Sequence, residues 1–355
     1  MSLLVVRAFP ARTLNDSIIL VIYFQGVVET NNLIAVFPMV TTTDAPTDPR
    51  YRTIAGDGYD GVVRISFNGY AGSGTLLFDG RAILTAAHLF DERAGTATVT
   101  FQTASGTQSY ESSQISTHAD YDTHSNNDLA IVWLPSAAPL DANRYSLYRE
   151  SDEIGQSFTF IGYGQTGTGS SGTDDQPRSD IVRLKASNLF DADAGTLKNF
   201  LGSGISWTPE PGTQLIADFD SGTSGNDAHG QLINQSDLGL GYDEGLIAPG
   251  DSGGPALVNG QIAGVASYTA SLSRGSNVPD VDSEVNSSFG EIAAWQRVSS
   301  FQEWLDLQLR EKYSDAPTTA EEVRTEVVEG DSGTNFAYFL LEFTGVRSTP
   351  DQILS

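Results

Sequence analysis

The segment GDSGG around Ser252 places a serine hydroxyl in a glycine-rich turn, where it could act as a nucleophile. His88 follows an apolar run in LTAAHLF, and Asp128 precedes another apolar run in NNDLAIVWL. A serine hydroxyl attacks efficiently only when a base takes its proton, and histidine titrates near neutral pH. A buried carboxylate would hold the imidazole in the correct tautomer. The three residues therefore predict nucleophilic catalysis at Ser252.

The glycines of this turn have a chemical use of their own. Gly250 and Gly253 permit a tight turn in which the backbone amides of Gly250 and Ser252 point at one spot. Two such donors would stabilise the oxyanion of a tetrahedral intermediate, and each is worth about 3–4 kcal/mol. A second GDSG, around Ser332, has no histidine or acid of its own and precedes alternating apolar positions, a strand pattern. We therefore interpret Ser252 as the chemical residue and Ser332 as a turn residue.

The surrounding pattern indicates which elements must position these residues. From Ile54 to Val265 the chain consists of short apolar runs broken by glycine, which predicts an all-β barrel or sandwich. Segment 297–312 has apolar residues at 298, 301, 304, 305, 307 and 309, which predicts a closing helix with one apolar face. Segment 41–50 is polar and contains proline, so we interpret it as a linker or propeptide.

Composition excludes several classes of function. The chain has 355 residues, 45 of them acidic and 19 basic, for a net charge of −26, which disfavours nucleic acid as a partner. It has no cysteine, so disulfides and cysteine metal sites are excluded. An apolar run from Ile18 to Val28 is too short to span a bilayer and is typical of an export signal. A buried strand and a wrongly assigned start codon are the alternatives. We expect a secreted or extracytoplasmic protein, and the cell surface is one location that fits this expectation.

Several motifs together resemble one family. TAAH, NNDLAIVWL, FIGYGQTG, GDSGGP and the terminal helix occur in the order and at the spacing of a trypsin/chymotrypsin-type serine peptidase. The resemblance implies two antiparallel six-stranded β-barrels with a C-terminal helix and an active site between the barrels. It implies a serine endopeptidase that hydrolyses polypeptides through His88, Asp128 and Ser252 and an acyl-enzyme, with an oxyanion hole at Gly250 and Ser252. A catalytically inactive binding or adhesion module is the alternative.

The resemblance also divides the chain. It assigns residues 1–53 to an export signal or propeptide and linker, 54–313 to the peptidase domain, and 314–322 to a second linker. Residues 323–355 contain EGDSGT between two strand patterns and resemble the opening of a Calx-β-type β-sandwich, which is common in extracellular and adhesive proteins. A plain hairpin is the alternative for this segment. The oligomeric state is left open.

The expected substrate pocket departs from the family pattern. Leu246 occupies the position where trypsin-type enzymes carry an aspartate, so the resemblance implies a pocket with no charge at its base. Ser267, Tyr268 and Thr269 replace the usual Ser-Trp-Gly of one wall, and Thr269 would narrow the entrance. We expect a preference for uncharged side chains of small or medium size. The neighbouring acids at 243 and 244 are the alternative source of an acidic pocket.

Activation and metal binding are two further expectations. In the family a cut before an isoleucine frees an amine that pairs with the aspartate before the nucleophile, here Ile54 and Asp251; activity without processing is the alternative. We expect no metal or other cofactor, because His118, His124 and His229 form no recognisable ligand set. The carboxylates in segments 191–195 and 218–227 make calcium the alternative, but neither segment completes an EF-hand, so we interpret both as solvated turns.

Overall fold

The computed structural model describes residues 20–21, 40–90, 94–122, 125–173 and 182–312. Within these ranges the protein is all-β, with two curled antiparallel sheets and three α-helices. The Calx-β-like segment and most of the expected export signal lie outside the described residues. No helix in the described ranges is both long enough and apolar enough to cross a membrane.

The first sheet carries the histidine and aspartate segments. Its seven strands are in the order β7-β6-β3-β4-β5-β9-β8. Two short strands, β1 (Leu20–Val21) and β2 (Thr41–Thr42), precede it in the chain. The strands of the first sheet are β3 (Val62–Phe67), β4 (Tyr70–Leu76), β5 (Ala82–Thr85), β6 (Thr98–Thr103), β7 (Gly106–Glu111), β8 (Gln114–Thr117) and β9 (Ala130–Trp133).

The second sheet has eight strands, in the order β13-β10-β17-β18-β19-β15-β14 with β1 paired to β18. A small four-stranded sheet, in the order β12-β11-β2-β16, lies beside the serine segment. The remaining strands are β10 (Ser157–Gly162), β11 (Gly167–Thr168), β12 (Gly172–Thr173), β13 (Leu184–Leu189), β14 (Ala192–Asp193), β15 (Gln214–Asp218), β16 (Gly245–Leu246), β17 (Pro255–Val258), β18 (Gln261–Leu272) and β19 (Ile292–Arg297). Two curled sheets stand where two six-stranded barrels were expected, but they have seven and eight strands, because the largely exposed edge strand β7, the two-residue edge strand β14 and the two-residue β1 are additional.

A continuous apolar cluster joins the two sheets. Leu84 and Ile131 of the first sheet share it with Ile161 and Val265 of the second. Burial of apolar surface stabilises a fold by about 25 cal/mol per Å². The seam between the sheets is therefore part of the core, and it fixes the position of residues that approach from either side.

Helix α3 (Gln302–Lys312) closes this seam, but it is shorter than the expected 297–312. A 3₁₀ turn occupies Val298–Ser300 and delays the start of the α-helix. Of the expected apolar face, Leu305 and Leu309 are buried, whereas Leu307 is 48% exposed. The helix thus contributes a narrow apolar contact.

Two short helices were not predicted from the sequence: α1 (Ala194–Leu201) and α2 (Ala228–Ile233). Each begins at an aspartate whose side chain accepts a backbone N–H, from Thr196 at Asp193 and from Gly230 at Asp227. Apolar residues of both helices pack on the outer face of the second sheet. Part of what was interpreted as solvated turns is therefore helix capping.

The expected linker at 41–50 packs into the fold instead. Thr41 pairs with Leu246 of β16, and Thr42 pairs with Thr168 of β11. Val40 and Tyr51 are fully buried in the core of the second sheet. The folded domain therefore begins before Ile54, because the apolar residues that flank this polar stretch belong to the core.

The short strand β1 lies within the run interpreted as an export signal. Leu20 pairs with Leu272 of β18, and Val21 pairs with Ser271. For these two residues the structure shows the strand that was weighed as the alternative.

Candidate active site

His88 and Asp128 come together at one edge of the first sheet. His88 lies in a 3₁₀ turn directly after β5, and Asp128 lies two residues before β9, which pairs with β5. The His88 Nδ1 atom lies 2.7 Å from Asp128 Oδ2, and the His88 backbone N–H donates to Asp128 Oδ1 at 2.8 Å. The carboxylate therefore holds both the backbone of His88 and its ring, the ring through Nδ1.

Asp128 has a third hydrogen-bond donor, Ser267, which was expected in the pocket wall. The Ser267 hydroxyl donates to Asp128 Oδ2 at 2.5 Å. Ser267 can reach the carboxylate because β18 has a register shift between Ala266 and Tyr268. Burial by itself raises the pKa of the fully buried Asp128, but the charge of His88 and the hydrogen bonds from His88 and Ser267 outweigh burial and lower it. The carboxylate is thus held ionised beside the imidazole.

The Ser252 turn lies against the strand end that carries His88. The backbone N–H of Ser73 in β4 donates to the Ser252 carbonyl at 2.8 Å. A Cβ at Gly253 would lie 2.0 Å from Thr85 Oγ1 and 2.9 Å from the Ala86 nitrogen, so this close approach requires glycine. Gly253 also has a φ of +82°, a conformation that other residues adopt only with strain.

The backbone amides of Gly250 and Ser252 are available to a ligand. The carbonyls of Pro249 and Asp251 accept N–H groups from Gln165 at 2.7 Å and Gly254 at 2.8 Å. Because C=O and N–H point in opposite directions across a trans peptide, the next amides, those of Gly250 and Ser252, point away from these partners. Neither amide donates a hydrogen bond within the part of the chain that the structure describes. The oxyanion hole at Gly250 and Ser252 stays a prediction, with which this hydrogen bonding is compatible.

Ser73 links the two sheets at this point and was missed in the sequence. Its hydroxyl donates to the Gly250 carbonyl at 3.0 Å and accepts the Tyr163 N–H at 3.0 Å. The side chain is fully buried. Its position within YAGSGTLL, in a strand of small residues facing a second sheet, is the signal that could have indicated a close packing role.

A buried amide network supports the segment before Asp128 and was also missed. Gln214 and Gln296 both donate to the Ser125 carbonyl, at 3.0 Å and 2.7 Å. Tyr268 donates its hydroxyl to Gln214 Oε1 at 2.7 Å. Isolated glutamines in apolar strands are the only sequence signal for this network, since their partners are distant in the chain.

Two of the expected pocket residues have other roles. The Ser267 side chain contacts Asp128, and the Tyr268 ring lies edge-on to Trp207, with centroids 5.9 Å apart, in the core under α1 and α2. The prediction that the strand carrying these residues forms a wall of the pocket stays a prediction, and these two side chains have partners of their own. Thr269 is buried and pairs with Ala293.

At the expected pocket base, the Leu246 side chain is fully buried in the apolar core of the second sheet and carries no charge. The Glu244 carboxylate accepts backbone N–H groups from Asp220 and Leu240. Burial raises the pKa of Glu244 to about 8. Asp243 is exposed. Glu244 thus points toward Asp220, and this geometry supports a pocket base without an acidic group.

The two expected activation residues do not meet in this uncut chain. Ile54 is 69% exposed, and its N–H donates to Asp57 Oδ2 at 3.0 Å. The buried Asp251 carboxylate accepts the N–H groups of Gly164 and Ala248, both at 2.8 Å. Burial raises the pKa of Asp251 to about 7, against the effect of these two hydrogen bonds.

Of the histidines outside this site, His118 and His229 are described and His124 is not. The His118 ring lies edge-on to Phe301 and at a tilt to Trp304, beside α3. His229 lies on α2, with Nδ1 3.1 Å from both Asp191 Oδ2 and Asp218 Oδ1.

Comparisons with known proteins agree with this geometry. The family model named Trypsin matches residues 55–292. No curated protein matches the chain. A solved structure that is similar in fold is neuropsin, a serine protease expressed in the limbic system of mouse brain, with a TM-score of 0.51 and 16% identity over 73% of this chain and 98% of that chain. Since the family model covers more than half of the sequence, and the fold is shared, the chain belongs to the trypsin family of serine peptidases.

Proposed function

We propose that this protein is an active serine endopeptidase. His88 takes the proton of the Ser252 hydroxyl as its oxygen attacks the carbonyl carbon of a peptide bond. The amides of Gly250 and Ser252 bind the oxyanion, and Asp128 stabilises the imidazolium. His88 then gives its proton to the leaving amine, and a water molecule, activated in the same way, hydrolyses the acyl-enzyme.

One observation carries this proposal: the buried Asp128 carboxylate holds His88, while the Gly250 and Ser252 amides of the serine turn donate no hydrogen bond within the described residues. Asp128 is fully buried, with three hydrogen-bond donors. A binding module would have no need of a buried, ionised carboxylate, which is costly without its partners. The alternative of an inactive module is therefore the less favoured.

A fluorophosphonate probe tests the proposal, because it reacts covalently only with an activated serine. Wild-type protein should be labelled, Ser252→Ala should not, and Ser332→Ala, in the second GDSG, should be labelled normally. We expect Ser252→Ala to lower kcat by about 10⁶ with the fold intact. Absence of labelling in folded wild-type protein would instead support the inactive binding module.

We further propose a preference for an uncharged side chain of small or medium size at the residue before the cleaved bond. The fully buried Leu246 and the engaged Glu244 carboxylate support this, since an arginine would have no ionic partner there. A peptide library should be cut mainly after uncharged residues. A profile dominated by arginine and lysine would contradict the proposal.

For activation, the structure favours a cut before Val40 over one before Ile54. Thr53 is buried, and Arg183 Nε donates to its hydroxyl at 2.8 Å, so the bond between Thr53 and Ile54 lies next to packed structure. A cut there would also disconnect β2 from the rest of the domain. Strand β2, which follows Val40 directly, lies between β11 and β16, and these two strands flank the two chain segments that hold Asp251.

We therefore propose that an amine freed at Val40 becomes the ionic partner of Asp251. Amino-terminal sequencing of probe-labelled protein distinguishes the possibilities. Val40 as the first residue supports this proposal, Ile54 supports the cut predicted from the sequence, and an uncut active chain contradicts both.

We also propose export from the cell, with polypeptides outside the cytoplasm as substrates. The amino-terminal pattern and the absence of cysteine are compatible with either side of a membrane, so the test is direct fractionation. Expression in a native host should place the peptidase in the extracytoplasmic fraction. Recovery of full-length protein in the cytoplasm alone would contradict export.

A further inference from the structure

A second group of buried carboxylates lies behind the second sheet, away from the His88 cluster. Asp218 ends β15, Asp220 follows it, and Asp227 precedes α2. One carboxylate oxygen from each of the three lies within 4.8 Å of the others. All three residues are at most 3% exposed. We propose that Asp218, Asp220 and Asp227 form a Ca²⁺ site.

The first argument is charge. Glu244 adds a fourth buried carboxylate, which accepts the Asp220 N–H at 2.7 Å. The basic side chain of His229 lies against Asp191 and Asp218 rather than Asp220 or Asp227. Within the described ranges, no lysine or arginine forms an ion pair with any of these acids. Buried charges of one sign require a counter-charge.

The second argument is an unsatisfied atom. Asp220 Oδ1 is completely buried and accepts no hydrogen bond. A buried carboxylate oxygen without a partner is costly, and native proteins rarely retain one. A buried carboxylate oxygen without a hydrogen-bond partner, in a group of converging carboxylates, is the arrangement expected of a cation site without its ion.

The third argument is the identity of the ion. The three convergent ligands are all carboxylate oxygens, which suits the hard cations Ca²⁺ and Mg²⁺. Ca²⁺ binds oxygen at about 2.4 Å, so two ligands on opposite sides of one ion can be as much as about 4.8 Å apart. Mg²⁺ requires shorter distances and usually retains several waters, which a site this deeply buried does not favour. The chemistry therefore points to Ca²⁺.

Cation binding at this site would affect the turn that carries Ser252, because a short stretch of chain connects the two. Glu244, tied to the Asp220 amide, immediately precedes β16, and β16 leads through Leu246 to the Gly250 turn. A cation at Asp220 would therefore brace the segment that forms the expected pocket base. The site itself does not depend on catalysis, and binding can be measured whether or not the protein is active.

The test uses the full chain after EDTA treatment and gel filtration. Titration with CaCl₂ in a calorimeter should show one Ca²⁺ per chain, and Ca²⁺ at about 100 times its Kd should raise Tm by about 5–10 °C. Mg²⁺ at the same concentration should give a smaller shift. An absence of any Ca²⁺ heat or Tm shift, or an equal response to Mg²⁺, would overturn the proposal.

Two matched variants locate the site. Asp220→Asn should weaken Ca²⁺ binding at least tenfold, yet its Tm in EDTA should equal or exceed that of the wild type, because one repelling charge is gone. This combination separates a lost ligand from a damaged fold. Asp243→Asn removes the same charge from a nearby exposed position and should leave Ca²⁺ binding unchanged. Zn²⁺ binding that survives Asp220→Asn but is lost in His229→Gln, with no Ca²⁺ response, would place a different metal on Asp191 and Asp218 and refute the proposal.

Discussion

Ser73→Ala tests whether the contact between the sheets maintains the oxyanion hole. The substitution removes one hydroxyl that serves both the Gly250 carbonyl and the Tyr163 amide, each at 3.0 Å. Because Ser73 is fully buried, water has little access to replace these bonds. Each partner left unpaired costs about 1–3 kcal/mol. The free energy of unfolding should therefore fall by about 2–6 kcal/mol.

The substitution should also lower kcat, because the peptide group that carries the Gly250 carbonyl loses its support. The Gly250 carbonyl lies between the two donor amides, so its release loosens the turn that aims them. Complete loss of one oxyanion donor costs about 2.7–4 kcal/mol, and we expect a part of this, a 10- to 100-fold decrease in kcat. KM should change little, since the oxyanion exists only in the intermediate and its transition states.

Thr75→Val provides the matched control. Thr75 lies on the same strand, is equally buried, and its hydroxyl has no hydrogen-bond partner within the described residues. This variant should retain both kcat and stability. Steady-state kinetics on a peptide substrate, normalised by active-site titration, and urea unfolding measure the two effects. A Ser73→Ala enzyme with kcat within twofold of wild type, or a Thr75→Val enzyme equally impaired, would refute the reasoning.

Three further substitutions have expected outcomes. Asp128→Asn should lower kcat by about 10⁴ with little change in Tm, because the amide favours the wrong tautomer of His88, and a loss below tenfold by steady-state kinetics would contradict the assigned role. Gly253→Ala should lower Tm measurably and abolish probe labelling, because its Cβ would lie 2.4 Å from the Ser73 carbonyl oxygen and 2.0 Å from Thr85 Oγ1; normal labelling would show that the turn can relax. Burial raises the pKa of Glu291 to about 8, so its ionisation destabilises the fold as pH rises from about 4 to 8. Glu291→Gln should therefore raise Tm near pH 9, with the difference gone near pH 4, and a pH-independent difference by thermal melts would contradict this.

The sequence predicted those parts of the site that rest on local chemistry. Ser252, His88 and Asp128 each lie in a short motif whose residue types have a recognisable use, and Gly250 and Gly253 have backbone requirements that only glycine meets easily. Each requirement is visible within a few residues of the chain. The same holds for the many short strands, since their apolar runs and glycine breaks are local patterns.

The contacts that the sequence did not predict depend on distant partners. Ser267 contacts Asp128 across 139 residues, and a one-residue register shift in β18 decides that it does so. Segment 41–50 has the composition of a linker, yet its strand pairs with residues about two hundred positions later. Asp218 and Asp220 belong to a stretch interpreted as a solvated turn, because nothing in the local pattern shows that both residues are buried. The amino-acid composition of a segment does not indicate whether distant parts of the chain bury it.

The pairing of β2 with β16 has a consequence for the order in which this protein folds during synthesis. The Thr41 hydroxyl donates to the Leu246 carbonyl, a contact that spans 205 residues. The first sheet is built largely from neighbouring hairpins and can form while the ribosome is still translating the second. The hydrogen bond from Thr41 cannot form until Leu246 has been synthesised. The docking of β2 then completes the small sheet that leads into the turn carrying Ser252. We therefore expect the nascent chain to remain without peptidase activity until nearly the whole domain has left the ribosomal tunnel.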